Sequence, residues 1–140
     1  KISCNQLANK EFIFIHSMNC DSNYISELDL SNNMYLYMLI CSNNSLTSLD
    51  VTNNESLMYL VCNNNQISGT IDFSWCFELM VLDCEFNKLT SLDVSNNMYL
   101  MDLNCSNNQI SNLDLSNNIY LETLYCYNNK IYNIDLSNNT

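Results

Sequence analysis

The cysteines are the side chains most able to do chemistry in this chain, and six of the eight recur at a nearly constant step. Steps of 21, 21, 22, 21 and 21 residues separate Cys20, Cys41, Cys62, Cys84, Cys105 and Cys126. A zinc site would need converging ligands at short C-x-x-C spacing, which this row lacks. Adjacent in-register strand positions also rarely reach the torsion of a disulfide. We therefore expect buried thiols and no metal, and we predict that Cys4 and Cys76, outside the row, are the more reactive thiols.

A row of aspartates has the same period and raises the question of calcium. Its members are Asp29, Asp50, Asp72, Asp93, Asp114 and Asp135. Carboxylates stacked about 5 Å apart repel by roughly 1 kcal/mol in water, and by more at a lower dielectric. Hydrogen bonds from the segment that follows each aspartate would offset this repulsion. Calcium bridging is the alternative, and we favour local bonding because calcium takes about six or more converging oxygens.

Groups suited to catalysis are sparse. His16 is the one histidine, and no nucleophile–base pair or phosphate-binding loop accompanies it. Asp83 and Asp102 could face each other on a sheet, but without a cleft nothing would raise their pKa or hold a substrate. We therefore predict that the protein is not an enzyme and uses no cofactor.

The cysteine row belongs to a longer repeat that must position these side chains. Residues 36–56 and 100–120 closely follow L-x-x-L-x-C-x-x-N-x-L-x-x-L-D-[LV]-[ST]-N-N-x-x. A unit this small cannot bury a core alone, so the copies must stack. Residues 1–14 are predicted to form an irregular partial coil or cap. The six predicted repeats are 15–35, 36–56, 57–78, 79–99, 100–120 and 121–140.

The first half of the unit resembles the leucine-rich repeat, L-x-x-L-x-L-x-x-[NC]-x-L, with Cys41 and its equivalents in the last leucine position. The 21-residue length, the cysteine and the phrase L-T-S-L-D-V-S-N-N at 89–97 are most similar to the internalin-J-type repeats of bacterial surface proteins. The resemblance implies an extracellular or cell-surface setting and a role in adhesion or recognition.

The spacing of apolar residues predicts strands independently of the resemblance. Leu39 and Cys41 alternate with outward residues, which is typical of a strand with one buried face, and Leu49-Asp50-Val51 alternates in the same way. Together with the resemblance, this spacing predicts a mainly β, right-handed leucine-rich-repeat solenoid with little or no helix. Short parallel strands should line the concave face. A second row of short strands, or irregular turns, should form the convex face.

Asparagine is expected to form the turns of a chain that has one glycine and no proline. The Ser/Thr-Asn-Asn triplets suit the second turn, because asparagine tolerates left-handed backbone and bonds local backbone groups. A separate asparagine follows each cysteine and should bond the backbone of its own and neighbouring coils, which is a structural role. This row contains Asn23, Asn44, Asn65, Asn87, Asn108 and Asn129.

Outward residues beside the strand leucine and cysteine should line the concave face. Apolar side chains from neighbouring coils would lie together there with acids beside them, which is typical of a protein-binding surface. The alternative is that scattered apolar surface residues have no function. The predicted binding residues are Met38, Ile40, Tyr59, Val61, Val81, Asp83, Glu85, Asp102 and Tyr125.

A second exposed row precedes the first leucine of several repeats, and the third repeat breaks it. Gly69 supplies an extra residue there, which we interpret as a bulge. Residues 73–77, Phe-Ser-Trp-Cys-Phe, replace the asparagine-rich phrase and form either a packing repair or a docking knob. The possible assembly contacts are Tyr35, Trp75, Phe77, Tyr99 and Tyr120.

The net charge of the chain and the residues at its two ends limit the classes of partner and function that we predict. A net charge of −11 disfavours nucleic acid and anionic lipid, and no apolar run approaches the roughly 20 residues of a membrane helix. Phe12, Ile13 and Phe14 are expected to seal one end, whereas the chain stops in mid-pattern at Thr140. We predict a module that binds a protein partner through its concave face. The alternative is a self-assembling subunit of an extracellular filament or surface layer, joined through uncapped ends.

Overall fold

The described part of the chain, residues 14–139 of a computed structural model, consists of eight short strands joined by turns. The strands are β1 (Ser17–Asn19), β2 (Met38–Ile40), β3 (Tyr59–Val61), β4 (Ser68–Gly69), β5 (Val81–Asp83), β6 (Lys88–Leu89), β7 (Asp102–Asn104) and β8 (Thr123–Tyr125). Six form one parallel sheet in the order β1-β2-β3-β5-β7-β8, and β4 pairs with β6 in a second. Across these residues there is no helix, and so none that could span a membrane. The predicted solenoid is confirmed.

The large sheet repeats one side-chain arrangement from coil to coil. Leu39 of β2 pairs with Leu60 of β3, which pairs with Leu82 of β5. These central residues are buried, while the residues on either side of them are half-buried. A register shift of one residue would exchange the two faces, so the central leucine fixes the pairing. We number the coils 1 to 6 after the strands of this sheet; the repeat boundaries remain a prediction from the sequence.

One hydrophobic core runs through the stack and draws on both halves of each repeat. Coil 2 buries Leu39, Cys41, Leu46 and Val51 completely. Burying one such aliphatic side chain contributes about 1.5–3 kcal/mol. A coil gains this only when its neighbours cover it, which explains why the repeats fold as an array.

The second half of each repeat is less regular than the alternation predicted. Leu49 and Val51 are buried and Asp50 between them is exposed, as expected. The Leu-Asp-Val segments nevertheless form no strand within residues 14–139, and pairing on this side is confined to β4 and β6. Asp50 Oδ1 accepts the backbone N–H of Thr52 at 3.0 Å. This bond turns the chain before the segment can extend into a ladder.

Left-handed backbone follows the strands of the large sheet rather than the second turn. The described non-glycine residues with positive φ, between 50° and 55°, are Ser22, Asn43, Asn64, Phe86, Asn107 and Asn128. The prediction that the Ser/Thr-Asn-Asn triplets use left-handed asparagine was therefore wrong. In coil 2 the Val51 carbonyl accepts the N–H of Asn54 at 3.0 Å, and the Asn54 carbonyl accepts the N–H of Leu57 at 3.0 Å. Two successive turns of this kind carry the chain round without positive φ.

Gly69, the extra residue of coil 3, lies within β4. Its φ is +77°, and a Cβ added there would meet no atom within 4 Å, so the backbone conformation rather than space favours glycine. Its carbonyl accepts the N–H of Thr90 at 2.8 Å. The insertion predicted as a bulge is therefore accommodated in a short paired strand.

The predicted N-terminal seal falls mostly outside the described residues. Cys4, Phe12 and Ile13 lie there. Phe14 is described, and it is 74% exposed and stacked on Tyr35 with ring centroids 5.8 Å apart. The expectation that Phe14 seals the core was wrong, because its ring lies against a surface tyrosine instead.

Candidate functional site

The cysteine ladder is buried in the core except at Cys126, which is half-buried. Cys41, Cys62, Cys84 and Cys105 are inaccessible to solvent, and the thiols of Cys62, Cys84, Cys105 and Cys126 are free. Burial raises the pKa of Cys62 and Cys84 well above the usual thiol value, and raises the pKa of Cys105 to about 12. A cysteine acts as a nucleophile or metal ligand as the thiolate, and these raised pKa values disfavour the thiolate. The side chains therefore pack as small hydrophobic groups.

Cys76 is not the reactive thiol that its position outside the ladder suggested. The side chain is completely buried, and burial raises its pKa to about 12. Its Sγ lies 3.7 Å from the carbonyl oxygens of Val51 and Asn54. The prediction was wrong because the side chain lies in the core, beside two backbone carbonyls.

The predicted asparagine ladder is confirmed by its hydrogen bonds. The Asn65 amide Nδ2 donates to the carbonyl of Cys62 in its own coil and to that of Cys41 in the preceding coil, each at 3.0 Å. Its Oδ1 accepts the N–H of Leu46 at 3.0 Å. One amide thus satisfies three backbone groups at a buried turn.

A second asparagine ladder, not predicted from the sequence, runs along the other turn. Asn118 Nδ2 donates to the carbonyls of Val94 and Asn97 at 3.0 and 2.8 Å. Cys76 occupies the equivalent place in coil 3 and directs its sulfur at the equivalent carbonyls. The available signal was the fixed period of the last asparagine of each triplet. The described members are Asn33, Asn54, Asn97, Asn118 and Asn139.

The aspartate row bonds locally, as predicted. Asp93 Oδ1 accepts the N–H of Ser95 at 3.0 Å and its hydroxyl at 2.6 Å. These bonds, led by the Ser95 hydroxyl, hold the pKa of Asp93 below its usual value, although Asp114 and Asp72 repel its charge. Within residues 14–139 no group of three or more His, Cys, Asp or Glu side chains is arranged to hold a metal.

The predicted binding residues lie on or beside the outer face of the large sheet, which we call the strand face. Met38, Tyr59 and Val81 are neighbours in one column, and Ile40 and Val61 are neighbours in the other. All five are half-buried. The structure thus brings the apolar residues of coils 2 to 4 into one continuous block, as the sequence predicted.

The strand face becomes acidic at coil 4. Asp83 continues the column of Val61, and Asp102 continues the column of Val81. Asp102 is exposed, as is Tyr125 at the far end of the sheet, whereas Asp83 and Glu85 are half-buried. The face therefore presents an apolar half and an acidic half side by side.

Glu85 is held by donors from two later coils. Its Oε1 accepts the Tyr127 hydroxyl at 2.7 Å and Asn107 Nδ2 at 3.0 Å, and its Oε2 accepts Asn104 Nδ2 at 3.1 Å. The bond from Tyr127 contributes most to lowering the pKa of Glu85. Sequence reasoning missed these three donors, because they stand at positions that the repeat leaves variable.

Asp83 is in the opposite electrostatic situation. Burial and the neighbouring charge of Glu85 raise its pKa, and the N–H of Glu85, donated to Asp83 Oδ1 at 3.1 Å, offsets this in part. The environments of these two neighbouring carboxylates thus shift their pKa values in opposite directions. Their neighbour Phe86 is 51% exposed.

The predicted assembly contacts lie on a different surface. They are about half exposed, and with Met34 and Met98 they form what we call the apolar edge: Tyr35, Trp75, Phe77, Tyr99 and Tyr120. Tyr99 stacks on Tyr120, and Trp75 meets Phe77 edge-to-face, with centroids 6.1 Å apart in both pairs. In the altered third repeat, Phe73 and Cys76 are buried while Trp75 and Phe77 are exposed, so the cluster contributes to both packing and surface.

Comparison with known proteins gives structural matches. No protein-family model and no curated protein sequence matches the chain. The functional domain of InlJ from Listeria monocytogenes, which includes a cysteine ladder, matches 93% of the chain at 37% identity with a TM-score of 0.69. Internalin InlF from Listeria monocytogenes matches 96% at 24% identity with a TM-score of 0.72. The ectodomain of the receptor kinase GASSHO1/SCHENGEN3 from Arabidopsis thaliana matches 89% at 24% identity with a TM-score of 0.78.

These matches support different conclusions about the chain. At 24% identity, InlF and GASSHO1 show the fold alone. The chain spans 34% of the InlJ chain, 47% of the InlF chain and 17% of the GASSHO1 chain. InlJ shares the cysteine ladder as well as the solenoid. The chain is therefore a leucine-rich repeat protein with internalin-J-like 21-residue repeats and a cysteine ladder.

Proposed function

We propose that the chain is a non-catalytic module that binds a protein partner through the strand face. The observation that carries this proposal is the block of half-buried apolar residues in coils 2 to 4, with acids beside it. Such a surface is typical of protein-binding sites. The similar GASSHO1 ectodomain was solved in complex with Casparian strip integrity factor 2, which supports a protein or peptide ligand for this fold.

The setting that we propose is extracellular or at a cell surface, with a role in adhesion or recognition. The support is the resemblance of the repeats to the internalin-J type, strengthened by the InlJ match over most of this chain. The buried, high-pKa thiols of the ladder would also resist oxidation in such a setting, because oxidation proceeds through accessible thiolate.

The test is to select binders from a library of random peptides on the immobilised chain, so that no surface is favoured in advance. Met38→Asp should weaken the selected binders by about tenfold or more, since a charge would enter the apolar block. The matched control is Met98→Asp, the same change on the apolar edge, which should alter affinity by no more than about twofold. Tyr59→Ala provides a second variant without added charge. The reverse order of effects would overturn the proposal.

Self-association along the apolar edge is a second candidate, favoured by the exposure of its aromatic side chains. Trp75, Tyr99 and Tyr120 are each about half exposed, and Tyr99 stacks on Tyr120. A second copy packed along this edge would cover such groups. Sedimentation velocity over a concentration series tests this candidate. Concentration-dependent growth that Tyr99→Asp abolishes would support it, and a strictly monomeric chain would contradict it.

A further inference from the structure

Building on the proposed function, we propose that the segment bound by the strand face carries a lysine or arginine. Its charged group would dock against Asp83, while apolar side chains of the same segment lie over Met38, Tyr59 and their neighbours. The partner is thus an extended, locally basic stretch of another protein rather than an acidic or purely apolar one.

Asp83 is a carboxylate placed to receive a cation. It stands in the register column between Val61 and Asn104, where the apolar half of the face meets the acidic half. It is half-buried, and the hydrogen bond to it in this structure is the Glu85 N–H at 3.1 Å. A carboxylate offers about four acceptor sites, so most of its capacity faces the solvent side of the sheet. A partly desolvated carboxylate with so few bonds gains strongly from an added positive donor.

Neither lysine in the described part of the chain supplies such a donor. The whole chain contains 15 acidic residues against four lysines, and it has no arginine. In the described part of the chain, the Nζ of Lys88 bonds Gln66 Oε1 at 3.4 Å and that of Lys130 bonds Gln109 Oε1 at 3.2 Å. A second copy of this chain, also at −11, would bring the wrong charge to the site. Charge complementarity therefore points to a different, basic partner.

Glu85 strengthens the site without being its main ligand. Its two oxygens already accept three side-chain donors, from Asn104, Asn107 and Tyr127, so its charge is fixed in place beside Asp83. Three aromatic rings in this part of the molecule are more than half exposed: those of Phe86, Tyr125 and Tyr127. Aromatic faces next to carboxylates favour a guanidinium or ammonium group, which can bond the acid and lie over a ring.

The experiment uses the Met38-dependent peptides recovered from the random library as probes. We expect these peptides to be enriched in lysine or arginine next to apolar residues. Replacing the arginine with citrulline, which keeps the shape but removes the charge, should weaken binding to the native chain by about tenfold or more. Asp83→Asn should weaken the arginine peptide by a similar factor and the citrulline peptide by less than about twofold. Asp114→Asn, the same change in the aspartate row, is the matched control and should leave both affinities unchanged.

The outcomes separate the two proposals. Binders that ignore Met38→Asp would sink the proposed function itself. Binders that depend on Met38 but show no cationic enrichment, or that bind equally with citrulline, would overturn only the inference about Asp83. Because the peptide pair is compared on the native chain, the citrulline result decides even if Asp83→Asn fails to fold.

Discussion

At the scale of single residues, asparagine amides take over the backbone bonding that the turns leave unsatisfied. Asn65 and its equivalents bond the turn that follows each strand, and Asn118 and its equivalents bond the opposite turn. The first ladder was predictable, because an asparagine stands three residues after every cysteine of the ladder. The second was not recognised, because Cys76 interrupts it in coil 3 and its asparagines also suit an exposed turn. Asn54, Asn97 and Asn118 of the second ladder are completely buried, which distinguishes this structural role from that of an exposed turn residue.

Phe86 is the residue-scale exception, and it leads to a stability prediction. Its φ is 50° at a position where four of the other coils have asparagine and one has serine. A left-handed conformation costs roughly 1–2 kcal/mol for most residues and less for asparagine. Phe86→Asn should therefore raise the free energy of unfolding by about 1 kcal/mol, measured by urea denaturation. The reciprocal control, Asn64→Phe, should lower it. A loss of stability in Phe86→Asn would mean that the ring packs more than its exposure suggests.

The aspartate row predicts a pH dependence. The pKa of Asp93 is lowered in the folded chain by its bonds to Ser95, so these bonds contribute stability above the unfolded pKa of about 4. The contribution is lost as the pH falls through the lower folded pKa. Asp93→Ala should thus cost about 1 kcal/mol or less at neutral pH, with the difference from the native chain shrinking below about pH 4.

Urea denaturation across the pH range measures this difference. Asn96→Ala, at an exposed neighbour that carries no titratable group, is the control and should leave the pH dependence of the native chain unchanged. A difference between Asp93→Ala and the native chain that persists in acid would show that the aspartate acts through something other than its charged hydrogen bonds.

At the scale of elements, the strands of the large sheet follow directly from the period-two pattern, but the second sheet does not. The Leu-Asp-Val segments alternate like strands, and their inward residues are buried as predicted. The aspartate between them accepts the backbone N–H of the residue two positions later, as Asp50 does from Thr52. This bond turns the chain. Local side-chain bonding thus overrides a strand pattern that is only three residues long.

Coil 3 tests whether the second asparagine ladder contributes to stability. Cys76 replaces the asparagine there and offers only a weak thiol donor, 3.7 Å from two carbonyls. Cys76→Asn should complete the ladder and raise the free energy of unfolding by about 1 kcal/mol. Asn97→Ala, one coil further, should lower it by about 1–3 kcal/mol by leaving buried carbonyls without a donor. If Cys76→Asn is destabilising, the coil has adapted its packing to sulfur and the two positions are not equivalent.

At the scale of the whole molecule, the stack is a one-dimensional array whose surface changes from apolar to acidic along its length. The repeat predicts which residues face outward, and so places Met38, Tyr59 and Asp83 on one face. It cannot predict how variable residues meet across coils. The bond from Tyr127 to Glu85 spans 42 residues and two coils, and no period in the sequence indicates it. The side-chain contacts of the candidate binding site were therefore less predictable from the sequence than the fold was.

The central claim, that a partner binds the strand face, is tested most directly by methyl NMR of the seven methionines. Met38 lies on the strand face, whereas Met34 and Met98 lie on the apolar edge and are more than half exposed. On addition of a library-selected peptide, we predict that the Met38 methyl signal shifts or broadens while those of Met34 and Met98 stay in place. Shifts at Met34 and Met98 with an unchanged Met38 would contradict the account and assign binding to the apolar edge.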